Sequence, residues 1–248
     1  MPAATIGRMN RLDTEQQRLF ATDPDAAADG RVRHLVLAVS GPADWAPLSA
    51  AWRGVQADLD LPAPAIAVNG VDAFELHFSL ADPVPTDTAA AFLDSLCARY
   101  LGDVPPARRR CWPSSDPGLQ VEPARVPQLQ AETGRWSAFV APDLAAVFGD
   151  DPSLDIPPGD EAQAELLSRL KPFTRAEFQI ALARLAPEPS PFLPAVQAPV
   201  PAVVTPASAP ANTIRRHDDP RQFLLDVMND VSVAMELRIK AAKALLQT

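Results

Sequence analysis

Three consecutive arginines, Arg108, Arg109 and Arg110, stand next to Trp112. Guanidinium groups pair phosphates and an indole stacks a base, so this cluster has the residue types of a single-strand nucleic-acid contact. Solvated loop charge is the plainer account of it in an acidic chain. The other reactive side chains are dispersed. His34, His77 and His217 share no metal-ligand spacing, and Cys97 and Cys111 fall on different expected elements without a CxxC pattern. Neither set forms a zinc signature, and the cysteines read as two buried thiols. Asp150 and Asp151 adjoin a proline, where capping or solvation explains a carboxylate pair. No GxSxG elbow, phosphate-binding glycine loop or dinucleotide GxGxxG follows a strand. The residues therefore call for no metal and no cofactor.

Composition bounds what must position these groups. The chain has 248 residues and 47% hydrophobic side chains, enough for a real core in one or two domains. Its 28 prolines are densest between Ala186 and Asn212, which marks a spacer. A formal charge of -9 opposes nonspecific attraction to phosphate backbones. No apolar run follows Arg8 and Arg11, so the first residues lack a secretion pattern. No stretch approaches the roughly 20 apolar residues of a membrane span. A cytoplasmic protein without membrane contact is expected.

The residues from 1 to 30 read as a short helix ending at Leu19-Phe20 followed by a loop from Asp23 to Gly30. His34 to Ser40, an apolar run between glycines, reads as a buried strand. Asp44 then caps a helix that presents Leu48, Trp52, Val55 and Leu59 on one face. Ala65 to Val68, the Asn69-Gly70 turn, and alternating Phe74, Leu76, Phe78 and Leu80 form a hairpin. Asp87 opens a helix carrying Phe92, Leu93, Leu96, Cys97 and Tyr100, and Arg108 to Trp112 makes a last strand. The order is β-α-β-β-α-β, so an α+β sandwich of the ferredoxin-like (RRM-like) kind is expected. Right-handed crossovers place both helices on one sheet face and leave the other open.

Trp136 to Val140 adds an edge strand, and helices follow at 160–170 and 175–185, the second opened by Thr174 and Glu177 at capping-box spacing. The sandwich thus spans 31–185 and the Pro/Ala-rich linker 186–212. Residues 213–248 form a helical hairpin started by Asp219-Pro220. Phe223, Leu224, Val227, Leu237 and Leu245 supply apolar surface that two short helices cannot bury alone, so a protein partner or a second copy is expected to dock there.

Two stretches resemble known families. Residues 34–85, with LVLAVS followed by VNGVDAFELHFSLADPVP, resemble the catalytic palm of the archaeo-eukaryotic primase and primase-polymerase superfamily. That resemblance implies two-metal phosphoryl transfer, in which clustered carboxylates hold divalent ions and a basic group meets the nucleotide. The two metal-binding aspartates would fall on Ala38 and Ser40, and the nucleotide-binding histidine on Glu75. None of the three residues suits its inherited role. His77, two residues along, shares the sheet face of Glu75 and is the one available substitute. The tail stretch DDPRQFLLDVMNDVSVAMELRIKAAKALL resembles a segment of some phage terminase small subunits, through Leu224, Leu225, Met228, Asp230, Arg238, Ala241, Ala242, Lys243 and Ala244. It implies an assembly or docking hairpin.

Together these point to a noncatalytic interaction protein of a phage or mobile element, built on a degenerate primase-like domain. The alternatives are a primase-polymerase-like protein that keeps nucleotide or single-strand DNA binding through His77, Arg108, Arg109, Arg110 and Trp112, and a DNA-packaging adaptor that assembles through its tail.

Overall fold

The computed structural model describes residues 10–21 and 24–186. The chain divides into two units, Met1–Phe192 and Leu193–Thr248, and every described residue belongs to the first. Nearly all of the expected linker, and the whole tail hairpin with Phe223, Leu224, Val227, Leu237 and Leu245, lie outside the described residues.

Five strands form one open antiparallel sheet. They are β1 (Arg31–Ser40), β2 (Ala65–Val68), β3 (Ala73–Pro85), β4 (Arg109–Trp112) and β5 (Ala138–Val140), in the spatial order β4-β1-β3-β2-β5. The helices are α1 (Arg11–Phe20), α2 (Pro24–Ala28), α3 (Trp45–Ala57), α4 (Thr86–Tyr100), α5 (Asp160–Ser168) and α6 (Arg175–Leu185). The protein is thus a mixed helix and strand fold, with β1 and β3 paired along their length at its centre. No helix among the described residues is long and apolar enough to cross a membrane.

Local signals account for most element ends. The Asp44 carboxylate accepts from the Ala46 N–H at 2.9 Å and starts α3. Thr174 and Glu177 form the full reciprocal capping box of α6. At the β2–β3 turn, Asn69 Oδ1 accepts from the N–H groups of Val71, Asp72 and Ala73, each at 2.9 Å. Gly70 takes φ 79°, and a Cβ there would sit 2.8 Å from the Ser137 backbone nitrogen. Only glycine meets both demands. The expected loop at 23–30 is instead partly helical, because Pro24 and Asp25 are favourable first-turn residues and override the turn-like composition. Arg108 ends a 3-10 turn, so β4 begins one residue later than expected.

The two sheet faces differ. Leu35, Leu37 and Val39 of β1, Phe74, Leu76, Phe78 and Leu80 of β3, and Ile66 and Val68 of β2 build the main core under α3 and α4. Those helices approach closely at Gly54, where a Cβ would lie 2.2 Å from the Tyr100 ring. Phe173 and Phe178 extend the core, with ring centroids 6.0 Å from Phe78 and 5.0 Å from Phe92.

The second face is not left open as the crossover argument suggested. Leu12 and Leu19 of α1 and Ala164 and Leu167 of α5 pack with Ala65, Ala67 and Phe139 to cover much of it. A buried Ser79 Oγ donates to the Leu19 carbonyl at 2.7 Å and ties the end of α1 to β3. Arg18 donates to the Leu167 and Leu170 carbonyls at 2.9 and 3.1 Å, satisfying the C-terminal end of α5. The expectation failed because chain order places α3 and α4, whereas α1 and α5 lie outside the repeated β-α-β units.

The outer edge of β5 is closed by a side chain. Buried Gln163 accepts from the Phe139 N–H at 2.8 Å and donates to the Phe139 carbonyl at 2.9 Å, taking the place of a sixth strand. Gln163→Leu leaves both backbone groups buried without a partner. It is expected to lower the unfolding free energy by about 2–3 kcal/mol. Urea denaturation with an unchanged m-value is the check, and a loss below about 0.5 kcal/mol would show that the edge is satisfied in another way.

Candidate functional site

The second sheet face carries the polar side chains. Residues of one parity on β1 and β3 must share it, and the register sets Ala38 opposite Glu75, Val36 opposite His77 and His34 opposite Ser79. His34 and His77 are therefore diagonal neighbours. Their rings stack with centroids 5.2 Å apart, and His34 Nε2 lies 3.0 Å from His77 Nδ1. His77 Nε2 in turn lies 3.0 Å from Glu75 Oε2.

These contacts fix one of the ring protons. An ionised Glu75 carboxylate can only accept, so His77 Nε2 carries the proton and donates to it. The next bond carries one proton between His77 Nδ1 and His34 Nε2. Burial, followed by the repulsion of a second charge at His77, holds the His34 pKa well below its usual value of 6.5. The arrangement is a carboxylate–imidazole–imidazole chain kept neutral at its far end.

Aromatic rings enclose the pair. The Phe20 ring lies 4.6 Å from His34 and 5.7 Å from His77, Phe139 meets His77 edge-on at 5.5 Å, and Trp112 lies 5.8 Å from His34. Next to them is a cavity of about 620 Å³, with Phe20, His34, His77 and Phe139 in its wall and Gln16, Gln17 and Arg125 also lining it. That volume suits a small molecule. Its cation is not free, because Arg125 pairs with Asp13 of α1. The site can accept or donate hydrogen bonds and can pass a proton along the imidazoles. Among the described residues, no group of three or more His, Cys, Asp or Glu side chains is placed to hold a metal ion.

The arginine cluster is dispersed by strand alternation. Arg108 donates to the Ser40 carbonyl at 2.8 Å and to the Pro42 carbonyl at 2.5 Å. Arg109 lies opposite Val39 and bonds the Val104 and Gly102 carbonyls, beneath the α3 and α4 layer. Arg110 alone is exposed, 3.5 Å from Asp72 and beside Ala38 on the second face. Trp112, opposite Val36, lies on that same face. Ala38 and Ser40 are both buried there, and the Ser40 hydroxyl donates to the Arg108 carbonyl at 3.4 Å.

Sequence reasoning named Glu75, His77, Arg110 and Trp112, which share the face, but passed over His34, Phe20 and Phe139. The parity of His34 with Ala38 and Ser40 along β1 was a usable signal. The diagonal contact with His77 depends on register and was not. The whole sequence matches no protein-family model and no curated protein.

A His whose folded pKa is depressed binds its proton more readily after unfolding. Stability should therefore be level above about pH 6.5 and fall as the pH drops below it, as the unfolded chain takes up a proton that folded His34 refuses. His34→Gln is expected to flatten this slope between about pH 5 and 6.5, measured by chemical denaturation across pH. An unchanged slope would show that His34 titrates freely in the folded protein.

Proposed function

We propose that the described domain is a ferredoxin-like palm of primase type that has lost polymerase chemistry. It serves as a noncatalytic interaction module of a phage or mobile-element system handling nucleic acid in the cytoplasm. One observation carries this reading. Ala38 stands directly opposite Glu75 on the face where the primase resemblance requires metal-binding aspartates. Two-metal phosphoryl transfer needs several carboxylates around the reacting phosphate. Glu75 is engaged with His77, and Asp72 bonds Asn69 and Arg110 at the sheet's edge. The strand order β4-β1-β3-β2 is the one the β-α-β-β-α-β reading requires.

The purified chain is expected to synthesise no primer from a single-stranded template with Mn²⁺ and nucleoside triphosphates. Template-dependent product would overturn the noncatalytic reading.

A second reading, retention of single-strand binding, is favoured by the placement of exposed Arg110 and half-buried Trp112 on the same face. Fluorescence anisotropy of a labelled single-stranded oligonucleotide separates the two. The interaction-module reading expects binding to disappear between about 50 and 200 mM salt. Binding that survives the higher salt and is lost in Arg110→Ala and Trp112→Ala selects the second reading.

The tail enters as the docking element, in keeping with its resemblance to terminase small subunits. Removal of residues 213–248 is expected to lower the number of copies per particle, read by light scattering as a mass drop larger than the deleted residues account for. An unchanged oligomeric state would leave the tail to a different protein partner and remove the packaging-adaptor alternative.

A further inference from the structure

Cys97 and Cys111 were read from the sequence as separate buried thiols, yet their sulfur atoms lie 3.7 Å apart. Cys97 is buried on α4, and Cys111 is half-buried on β4, an edge strand that among the described residues pairs with β1. The helix and strand pack together, so the pair bridges two elements rather than sitting within one. We propose that Cys97 and Cys111 are an oxidation site, a dithiol that closes to an intramolecular disulfide on reaction with low-molecular-weight disulfides.

The surroundings divide the roles. A shared S–H···S contact and the nearby Arg109 guanidinium lower the Cys97 pKa, against burial and the repulsion of Asp94. The same contact and burial push the Cys111 thiol up. The pair thus gives up one proton more readily than a lone buried thiol and holds the second, which leaves one reactive thiolate equivalent. Cys111 is the sulfur an external reagent reaches, because it is the more exposed of the two.

The chemistry balances in two exchanges. Cys111 Sγ attacks one sulfur of the external disulfide as its proton passes to the Cys97 thiolate across the S–H···S contact, so a mixed disulfide forms, the external S–S bond breaks, and the departing sulfur takes that proton from Cys97 and leaves as a thiol. The Cys97 thiolate then attacks Cys111 Sγ, forming the Cys97–Cys111 bond and expelling the second external sulfur as a thiolate that takes its proton from solvent. Two cysteine thiols are oxidised and one external disulfide is reduced. Arg109 stabilises the attacking thiolate, and the 3.7 Å separation makes the second exchange intramolecular and fast.

The full-length chain treated with oxidised glutathione tests this. Intact mass should show the loss of two hydrogens with no retained glutathione, and a non-reducing peptide map should join the Cys97 and Cys111 peptides. The thermal midpoint should rise by roughly 5–10 °C and return on reduction, as expected for a cross-link closing a short loop. In Cys97→Ser, glutathione should remain attached to Cys111. Cys97 in the Cys111→Ser variant should stay unmodified. The proposal is overturned if the unaltered chain keeps a stable glutathione adduct, or keeps both thiols free after prolonged exposure while folded by circular dichroism.

Discussion

Burial of both faces of the central strands is the constraint on which the structure depends. From Leu35 to Ser40 every residue of β1 is buried, and β3 is nearly as enclosed from Ala73 to Leu80. An antiparallel sheet can leave one face in water. This one cannot, because α3 and α4 occupy one side while α1 and α5 cover the other. Any polar side chain on the second face must find its partner within the sheet or in the helices above it, since an unpaired buried polar group costs several kcal/mol at the upper end, or roughly 2–7 kcal/mol by transfer measures. Among the described residues, no buried side-chain nitrogen or oxygen lacks a hydrogen-bond partner.

The chain of Glu75, His77 and His34 follows from that constraint. Once α1 lies over the face, its Phe20 ring packs against both histidines, and each ring nitrogen that faces the protein has to be paired. Small residues make this geometry possible. Ala65 and Ala67 leave space for α1 and α5, and Ala38 leaves the carboxylate of Glu75 free to turn toward His77. What holds α1 down is mainly apolar. Leu12 and Leu19 are 4% and 0% exposed, and burial of such side chains contributes about 1.5–3 kcal/mol each. The Arg11 pairs with Glu161 and Glu165 are exposed, so solvent and salt screen them, and their effect is on orientation more than on stability.

The same enclosure shapes function. A face committed to polymerase chemistry would need carboxylates around a metal-bound phosphate and access for a template. Here the second face offers the Glu75–His77–His34 chain, aromatic walls and one ion-paired arginine beside a half-open cavity that Asp13 and Glu122 also line. Arg110 and Trp112 lie at the rim of the same face, where a longer ligand would meet them.

The sequence by itself determined the kinds of elements and most of their ends. The Asp44 cap, the Thr174–Glu177 box, the Asn69-Gly70 turn and the alternation in β3 act over a few residues, and local sterics and hydrogen bonding express them directly. Alternation also separates Arg109 from Arg110, so the dispersal of the arginine cluster was legible once a strand was assigned there. Only the tertiary structure decided which distant residues meet. His34 and His77 are 43 positions apart, Phe139 and Gln163 are 24 apart, and Cys97 and Cys111 are 14 apart. Sheet register and helix placement bring each pair together, and these are set by the collective packing of two cores rather than by any local pattern. A residue's type states what chemistry it can do, but its neighbour across the sheet decides whether that chemistry is available.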